Sequence, residues 1–226
     1  MGAHSKPLIF RAFFCFKNLA IKNIIFDLGG VILNIDYNRT EKAFKALGCN
    51  NFGEIYSKAK QTTLFDDFEE GKIDETAFFF KLKNLAGLEV SIHELKNAWN
   101  AMLIELPDRN FELLRSLQNK YRIFLLSNTN ETHVKKFIEI IEGSHGFENF
   151  IKLFEQTYYS SRIGLRKPNA ECFEFVLKEN DLLPHETVFI DDSIQHVDGA
   201  KKTGIQAHWL DLPKTTGALL KELKLI

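Results

Sequence analysis

The first regular feature of the chain is an apolar run at residues 21–27 (IKNIIFD), which ends in an acid and is followed by Gly29 and Gly30. A short continuous run closing this way predicts a strand buried on both faces that enters a loop. Three further runs have the same form: 122–126, ending at Ser127; 187–190, ending at Asp191; and 205–210. Helical spacing of apolar positions separates them, at 108–119, 131–141, 170–179 and 194–202. This alternation predicts an α/β fold built on a doubly wound parallel sheet.

The rhythm breaks once. About 95 residues separate the first run from the second, far more than the dozen or so that a parallel crossover needs. Helical patterns fill the gap at 39–47, 52–59, 74–84 and 92–103. Ser91 opens the last of these, with Glu94 in the capping-box position. The economical reading is a small helical domain over residues 38–106, inserted after the first strand, with a core formed by 20–37 and 107–226.

Residues 1–19 carry an apolar patch interrupted by Arg11, with no small-residue cleavage signal after it. They read as a poorly ordered extension, or as an upstream start that is not used. The run Phe78–Phe80 lies in a helical pattern and cannot face one core; part of it is expected at an interface or cleft.

Composition narrows the function classes. The chain has 226 residues, 45% of them hydrophobic, which excludes intrinsic disorder. With 29 basic and 30 acidic residues, no overall charge drives it to nucleic acid or an anionic membrane. No apolar run reaches the roughly 20 residues of a membrane span. Cys15, Cys49 and Cys172 are scattered, which argues against a disulfide framework and a cysteine zinc site and fits a reducing, cytoplasmic setting.

Three predicted strands end in reactive groups: Asp27, Ser127 and the pair Asp191–Asp192. In open parallel sheets, ligands bind outside the carboxyl ends of the strands, so adjacent strands would bring these groups to one crevice. Lys167 joins them from the segment GLRKPN, where Pro168 favours an extended lysine and Asn169 can cap the following helix. Three carboxylates near one point repel and raise one another's pKa. A Mg²⁺ ion relieves the conflict, and its hard oxygen preference suits such ligands. Lys167 and Ser127 would then hold phosphate oxygens, and Asp27 is placed to serve as a carboxylate nucleophile. Taken singly, each residue also reads as a strand-end turn, a helix cap or a solvated side chain.

In this order the motifs resemble those of the haloacid dehalogenase superfamily of aspartate-nucleophile phosphatases. They are FDLGGVILNID at 26–36, IFLLSNTN at 123–130, GLRKP at 164–168 and VFIDDS at 188–193. The resemblance spans roughly residues 21–212, and is nearest to the branch that includes bacterial α-D-glucose 1-phosphate phosphatases. It implies a Rossmann-like core with a helical cap at 38–106. It also implies attack on phosphorus by Asp27, phosphoryl binding by Ser127 and Asn128, and charge balance by Lys167. Mg²⁺ would be held by Asp27, Asp192 and the Gly29 carbonyl, with Asp191 a ligand or a partner behind one.

One departure matters. Most phosphatases of that superfamily carry a second aspartate two positions after the nucleophile, where this chain has Gly29. General acid–base catalysis is typically worth ~10²–10⁴ in rate. A good leaving group, as in a hexose 1-phosphate, would suffer least from its absence. Asp36 is a second candidate, as proton donor or substrate contact, against a plain turn role at the hinge. Dehalogenation and phosphomutase chemistry fit less well. His133, His196 and His208 read as structural or exposed.

The expectation is a cytoplasmic Mg²⁺-dependent phosphatase acting on a small phosphorylated metabolite, a sugar phosphate such as a hexose 1-phosphate. It would be a monomer or weak homodimer, without nucleic-acid or membrane partners. The alternative is a catalytically impaired member that binds a phosphometabolite or a protein. Specificity should come from the segment 62–80. There Asp66, Asp67, Glu69 and Glu70 would either bond sugar hydroxyls or form a solvated helix face.

Overall fold

The computed structural model describes residues 20–226; the reading of residues 1–19 lies outside the described residues. Strand β1 (Asn23–Phe26) leads through a glycine turn to the short β2 (Asn34–Ile35). Five helices follow: α1 (Tyr37–Ala46), α2 (Phe52–Gln61), α3 (Leu64–Glu69), α4 (Glu75–Ala86) and α5 (Ile92–Asn100). The chain returns on β3 (Leu103–Glu105), antiparallel to β2. Then come α6 (Asp108–Leu117), β4 (Arg122–Ser127), α7 (Glu131–Glu142), α8 (Phe147–Ile151), β5 (Gln156–Tyr159), α9 (Ser160–Ile163) and α10 (Ala170–Glu179). The last elements are β6 (Thr187–Asp191), α11 (Ile194–Lys201), β7 (Gln206–Trp209) and α12 (Thr216–Glu222).

The main sheet has the order β5-β4-β1-β6-β7, and every pairing in it is parallel. Its central strands alternate between two cores. Ile24 and Phe26 of β1, Ile123 and Leu125 of β4, and Val188 and Ile190 of β6 face one side with residues of α6, α7 and α12. Ile25, Phe124, Leu126 and Phe189 face the other with residues of α10 and α11. Burial on both faces is why these strands read as continuous apolar runs rather than alternating ones. Each fully buried Ile or Phe contributes about 1.5–3 kcal/mol.

Edge strand β5 (QTYY) begins on an exposed glutamine and lacks an apolar run, so periodicity did not mark it. Strands β2 and β3 are too short for any period to register.

Helices α1–α5 form a lobe with a core of their own. Phe44, Phe65, Phe68, Phe78, Phe79 and Trp99 are buried together there. Phe68 stacks on Phe78 at 4.0 Å between ring centroids, and Phe65 lies parallel to Trp99 at 5.5 Å. Of the Phe78–Phe80 run, the first two are buried and Phe80 is exposed. The capping box at α5 is formed: Ser91 Oγ accepts from the Glu94 amide at 3.2 Å, and Glu94 Oε2 accepts from the Ser91 amide at 2.8 Å. Helix α5 stops at Asn100, short of the expected 103, because Leu103 is drawn into pairing with Ile35.

Candidate active site

Strand register assembles the site. Phe26 is level with Leu125 on one side and Ile190 on the other, so the next residue, Asp27, emerges between two neighbouring strand ends. The Asp27 amide donates to the Ile190 carbonyl at 2.9 Å. Ser127 and Asp191 are the last residues of β4 and β6. Asp27, Asp191 and Asp192 each bring a carboxylate oxygen within 4.8 Å of the others.

Lys167 reaches this cluster from below and is fully buried. Its Nζ donates to Asp27 Oδ1 at 2.6 Å, to Asp191 Oδ2 at 2.7 Å and to the Leu126 carbonyl at 2.9 Å. An ammonium has three protons, and all three are used. Asn128 fixes the lysine's backbone: its Oδ1 accepts from the Lys167 amide at 2.9 Å and its Nδ2 donates to the Lys167 carbonyl at 2.8 Å.

The charges remain unbalanced. Burial lifts the Asp27 carboxyl well above the usual carboxylate range, against the pull of Lys167. Burial, with the Asp191 charge beside it, raises Asp192 to about 6. For Asp191 burial acts upward too, but the Lys167 charge and the His196 hydrogen bond outweigh it and hold it low. Lys167 is desolvated, yet its two carboxylates keep it firmly protonated. The Asp191 oxygens are occupied by Lys167, the Ser193 amide and His196 Nδ1. Asp27 and Asp192 are therefore the carboxylates with oxygens left to offer. Hard oxygen donors short of positive charge are the donor set that a Mg²⁺ ion fits.

Above the cluster, a cleft of about 610 Å³ lies between the sheet edge and the helical lobe. Asp27, Gly29, Ser127, Asn128 and Asp192 line its floor, whereas Lys167 and Asp191 lie just beneath. Asp36 is not among the lining residues. Its carboxylate caps α1 by accepting from the Asn38 amide at 2.9 Å, and its own amide donates to Met102. Of the four acids in 66–70, Glu69 lines the cleft; Asp67 bonds Thr63 and Glu70 pairs with Lys72.

Four groups in this cleft were given no functional role by the sequence. Tyr37 and Tyr56 face it from the lobe, Arg166 from the loop before Lys167, and His196 from α11. Arg166 is held by Glu69 through Nη2 at 2.7 Å and Nε at 3.1 Å, and by Asp66 through Nη1 at 2.7 Å. His133 also lines the cleft, stacked on Trp99 at 5.3 Å. The position of Arg166 beside Lys167 was the one available signal. The others depend on how the lobe folds back over the sheet.

Comparison with known proteins agrees with this architecture. Residues 21–204 match the family model of haloacid dehalogenase-like hydrolases. The chain is 34% identical to a D-ribitol-5-phosphate phosphatase of Bacteroides thetaiotaomicron, over 82% of this chain and 90% of that one. It is 27% identical to a sesquiterpene phosphatase of Aspergillus oryzae, over 81% and 87%. A HAD family enzyme of B. thetaiotaomicron, solved with magnesium and inorganic phosphate, superposes with a TM-score of 0.80 at 32% identity, covering 88% of this chain and 99% of that one. The chain belongs to the haloacid dehalogenase-like hydrolases.

Proposed function

We propose that this hydrolase is a Mg²⁺-dependent phosphatase of a small phosphorylated sugar or sugar alcohol. One arrangement carries the reading: Asp27 at the end of the central strand, 2.6 Å from the buried Lys167 and beside two further carboxylates. The similarity to a D-ribitol-5-phosphate phosphatase supports the substrate class, and that of the structure holding magnesium and phosphate supports the cofactor.

In this reading an Asp27 oxygen attacks phosphorus, and the bond to the leaving oxygen breaks as that oxygen takes up a proton. Water then attacks the aspartyl-phosphate, releasing inorganic phosphate and restoring the carboxylate. Lys167 favours the ionised form of Asp27 against its burial and holds its carboxylate in place. Ser127 and Asn128 border the space where the phosphoryl oxygens sit. Asp27 and Asp192, with the Gly29 carbonyl, would hold Mg²⁺, and Asp191 acts behind them by anchoring Lys167. The ion supplies positive charge against the phosphoryl oxygens.

Gly29 bears on the leaving group. It lines the cleft without a side chain to carry a proton, which favours an ester that departs easily, such as a hexose 1-phosphate. It also favours a second reading, a member of the family that binds a phosphometabolite without turning it over. The helical lobe, residues 38–106, serves as the specificity cap in either case. A reducing cytoplasmic setting accords with Cys49 and Cys172, both free and buried. Among the described residues no helix is long and apolar enough to cross a membrane.

Phosphate release over a panel of sugar 1-phosphates, sugar-alcohol phosphates and nucleotides, with and without Mg²⁺, tests the proposal. Metal-dependent turnover abolished by Asp27→Asn is the expected result. No release from any compound by folded protein favours the binding reading.

A further inference from the structure

The wall of the cleft above the carboxylates has its own charge arithmetic. Arg166 is the one lysine or arginine among the described residues that lines the cleft. Its guanidinium is spent on two carboxylates, Glu69 with two hydrogen bonds and Asp66 with one ion pair. Glu69 and Glu41 line the cleft beside Arg166, and Asp66 pairs with the arginine from outside the lining, so this wall is net negative. Arg166 and Glu69 are both largely shielded from water, at 23% and 28% side-chain exposure, so the charges act with little screening. The phenols of Tyr37 and Tyr56 share the same space, close enough to Glu69 to feel its charge. Neither phenol has a hydrogen-bond partner among the described residues.

We propose that the Arg166–Glu69–Asp66 cluster is a charge filter: it admits a phosphorylated substrate whose remaining part is neutral and hydroxylated, and rejects one bearing a second anionic group. This rests on the phosphatase reading above and deepens it. A hydroxyl can donate to Glu69 and exchange hydrogen bonds with either phenol. A carboxylate or second phosphate at the same place meets Glu69, with Asp66 behind it, and an arginine already committed to both. Capturing it would require breaking the bonds from Arg166 to Glu69. Specificity of this kind works by penalising the wrong ligand.

The filter also reaches the chemistry. Arg166 is bonded to the lobe, and the adjacent Lys167 to Asp27. A ligand that pulled Arg166 away from Glu69 would disturb the strut on which the nucleophile's partner stands.

The test compares two esters that differ in one terminal group. The pair is taken at the chain length that leads the panel: D-glucitol 6-phosphate with 6-phospho-D-gluconate for six carbons, D-ribitol 5-phosphate with 5-phospho-D-ribonate for five. The native enzyme should favour the neutral ester in kcat/KM by at least about tenfold. Glu69→Gln should narrow that ratio by about tenfold, chiefly through a lower KM for the acidic ester. Asp66→Asn, which alters a more exposed member of the cluster, should narrow it in the same direction and guards against a folding defect in the first variant. Circular dichroism confirms that both are folded. A native ratio near one overturns the filter, as does an unchanged ratio in both variants. Absence of metal-dependent release from every compound in the panel overturns the phosphatase reading instead.

Discussion

The Cβ that Gly30 lacks would stand 2.2 Å from Oδ2 of Asp192, at a backbone φ of +76°. The first motif and the fourth therefore meet at a place where a side chain fits only if the Asp192 carboxylate moves, and that contact bears on the position of a carboxylate on the cleft floor. Gly30→Ala should leave a folded protein whose affinity for Mg²⁺, measured by titration calorimetry, falls at least about tenfold. Gly87→Ala is the control. Gly87 has a φ of +61° with nothing within 4 Å of its missing Cβ. It should lose about 1 kcal/mol of stability from the left-handed backbone alone and leave metal affinity intact.

Removing Lys167 strands two buried carboxylates. Breaking a buried ion pair from one side typically costs about 3–5 kcal/mol. Lys167→Ala should lose stability on that scale in urea unfolding at neutral pH with EDTA, and phosphate release should vanish. Added Mg²⁺ should recover part of the stability but not the turnover. A variant as stable as the native protein would mean that Asp27 and Asp191 do not depend on this lysine.

Gly29 can be given the acid it lacks. A Cβ there meets only the Ile35 side chain, with Cδ1 at 3.2 Å, and the backbone is outside the left-handed region. A side-chain end can shift by the few tenths of an ångström required. Gly29→Asp should fold and raise the rate on an ordinary alkyl phosphate by about a hundredfold, with a smaller gain on a sugar 1-phosphate. Equal gains on both would remove the leaving-group explanation of the native glycine.

Acid should weaken the junction between lobe and sheet. Burial of His133 against Trp99 drives its pKa down from 6.5 to about 4. The folded protein thus binds a proton there less readily than the unfolded chain. Stability from the neutral ring is fully present above pH 6.5 and is lost as pH falls from there toward 4. Between pH 6.5 and 5 the loss is about 2 kcal/mol. Asp27, raised to about 7, and Asp192, raised to about 6, both work in the opposite sense over the same range, so the His133 effect is read as a difference. The difference in unfolding free energy between His133→Asn and the native protein should therefore shift in favour of the variant by about 2 kcal/mol as pH falls from 6.5 to 5, and a constant difference would remove His133 as the cause.

How far the sequence reached follows the physics of each signal. The three central strands were legible because both faces are apolar, and the convergence of Asp27, Ser127 and Asp191 follows once those strands are parallel neighbours; β7, expected to be buried likewise, is an edge strand with Gln206 and Trp209 exposed. Ala170–Glu179 was read to the residue, since its apolar stripe and following break are both clear. Helix α3 was missed because its acids hid a buried face of Leu64, Phe65 and Phe68. The two-residue β2 carries no period at all. The cleft wall was the least legible part: Tyr37, Tyr56, Arg166 and His196 come from four separate segments and meet only in three dimensions. His196 in particular, read as structural or exposed, has Nδ1 3.0 Å from both carboxylate oxygens of Asp191.

The aromatic core of the lobe shares none of its buried residues with either core around the sheet. A change at Phe68 and a change at Phe189 are therefore accommodated by different neighbours, and neither repacking disturbs the other. On the proposed function, a substitution inside the lobe over the organic part of the substrate needs no compensating change in the sheet that carries Asp27.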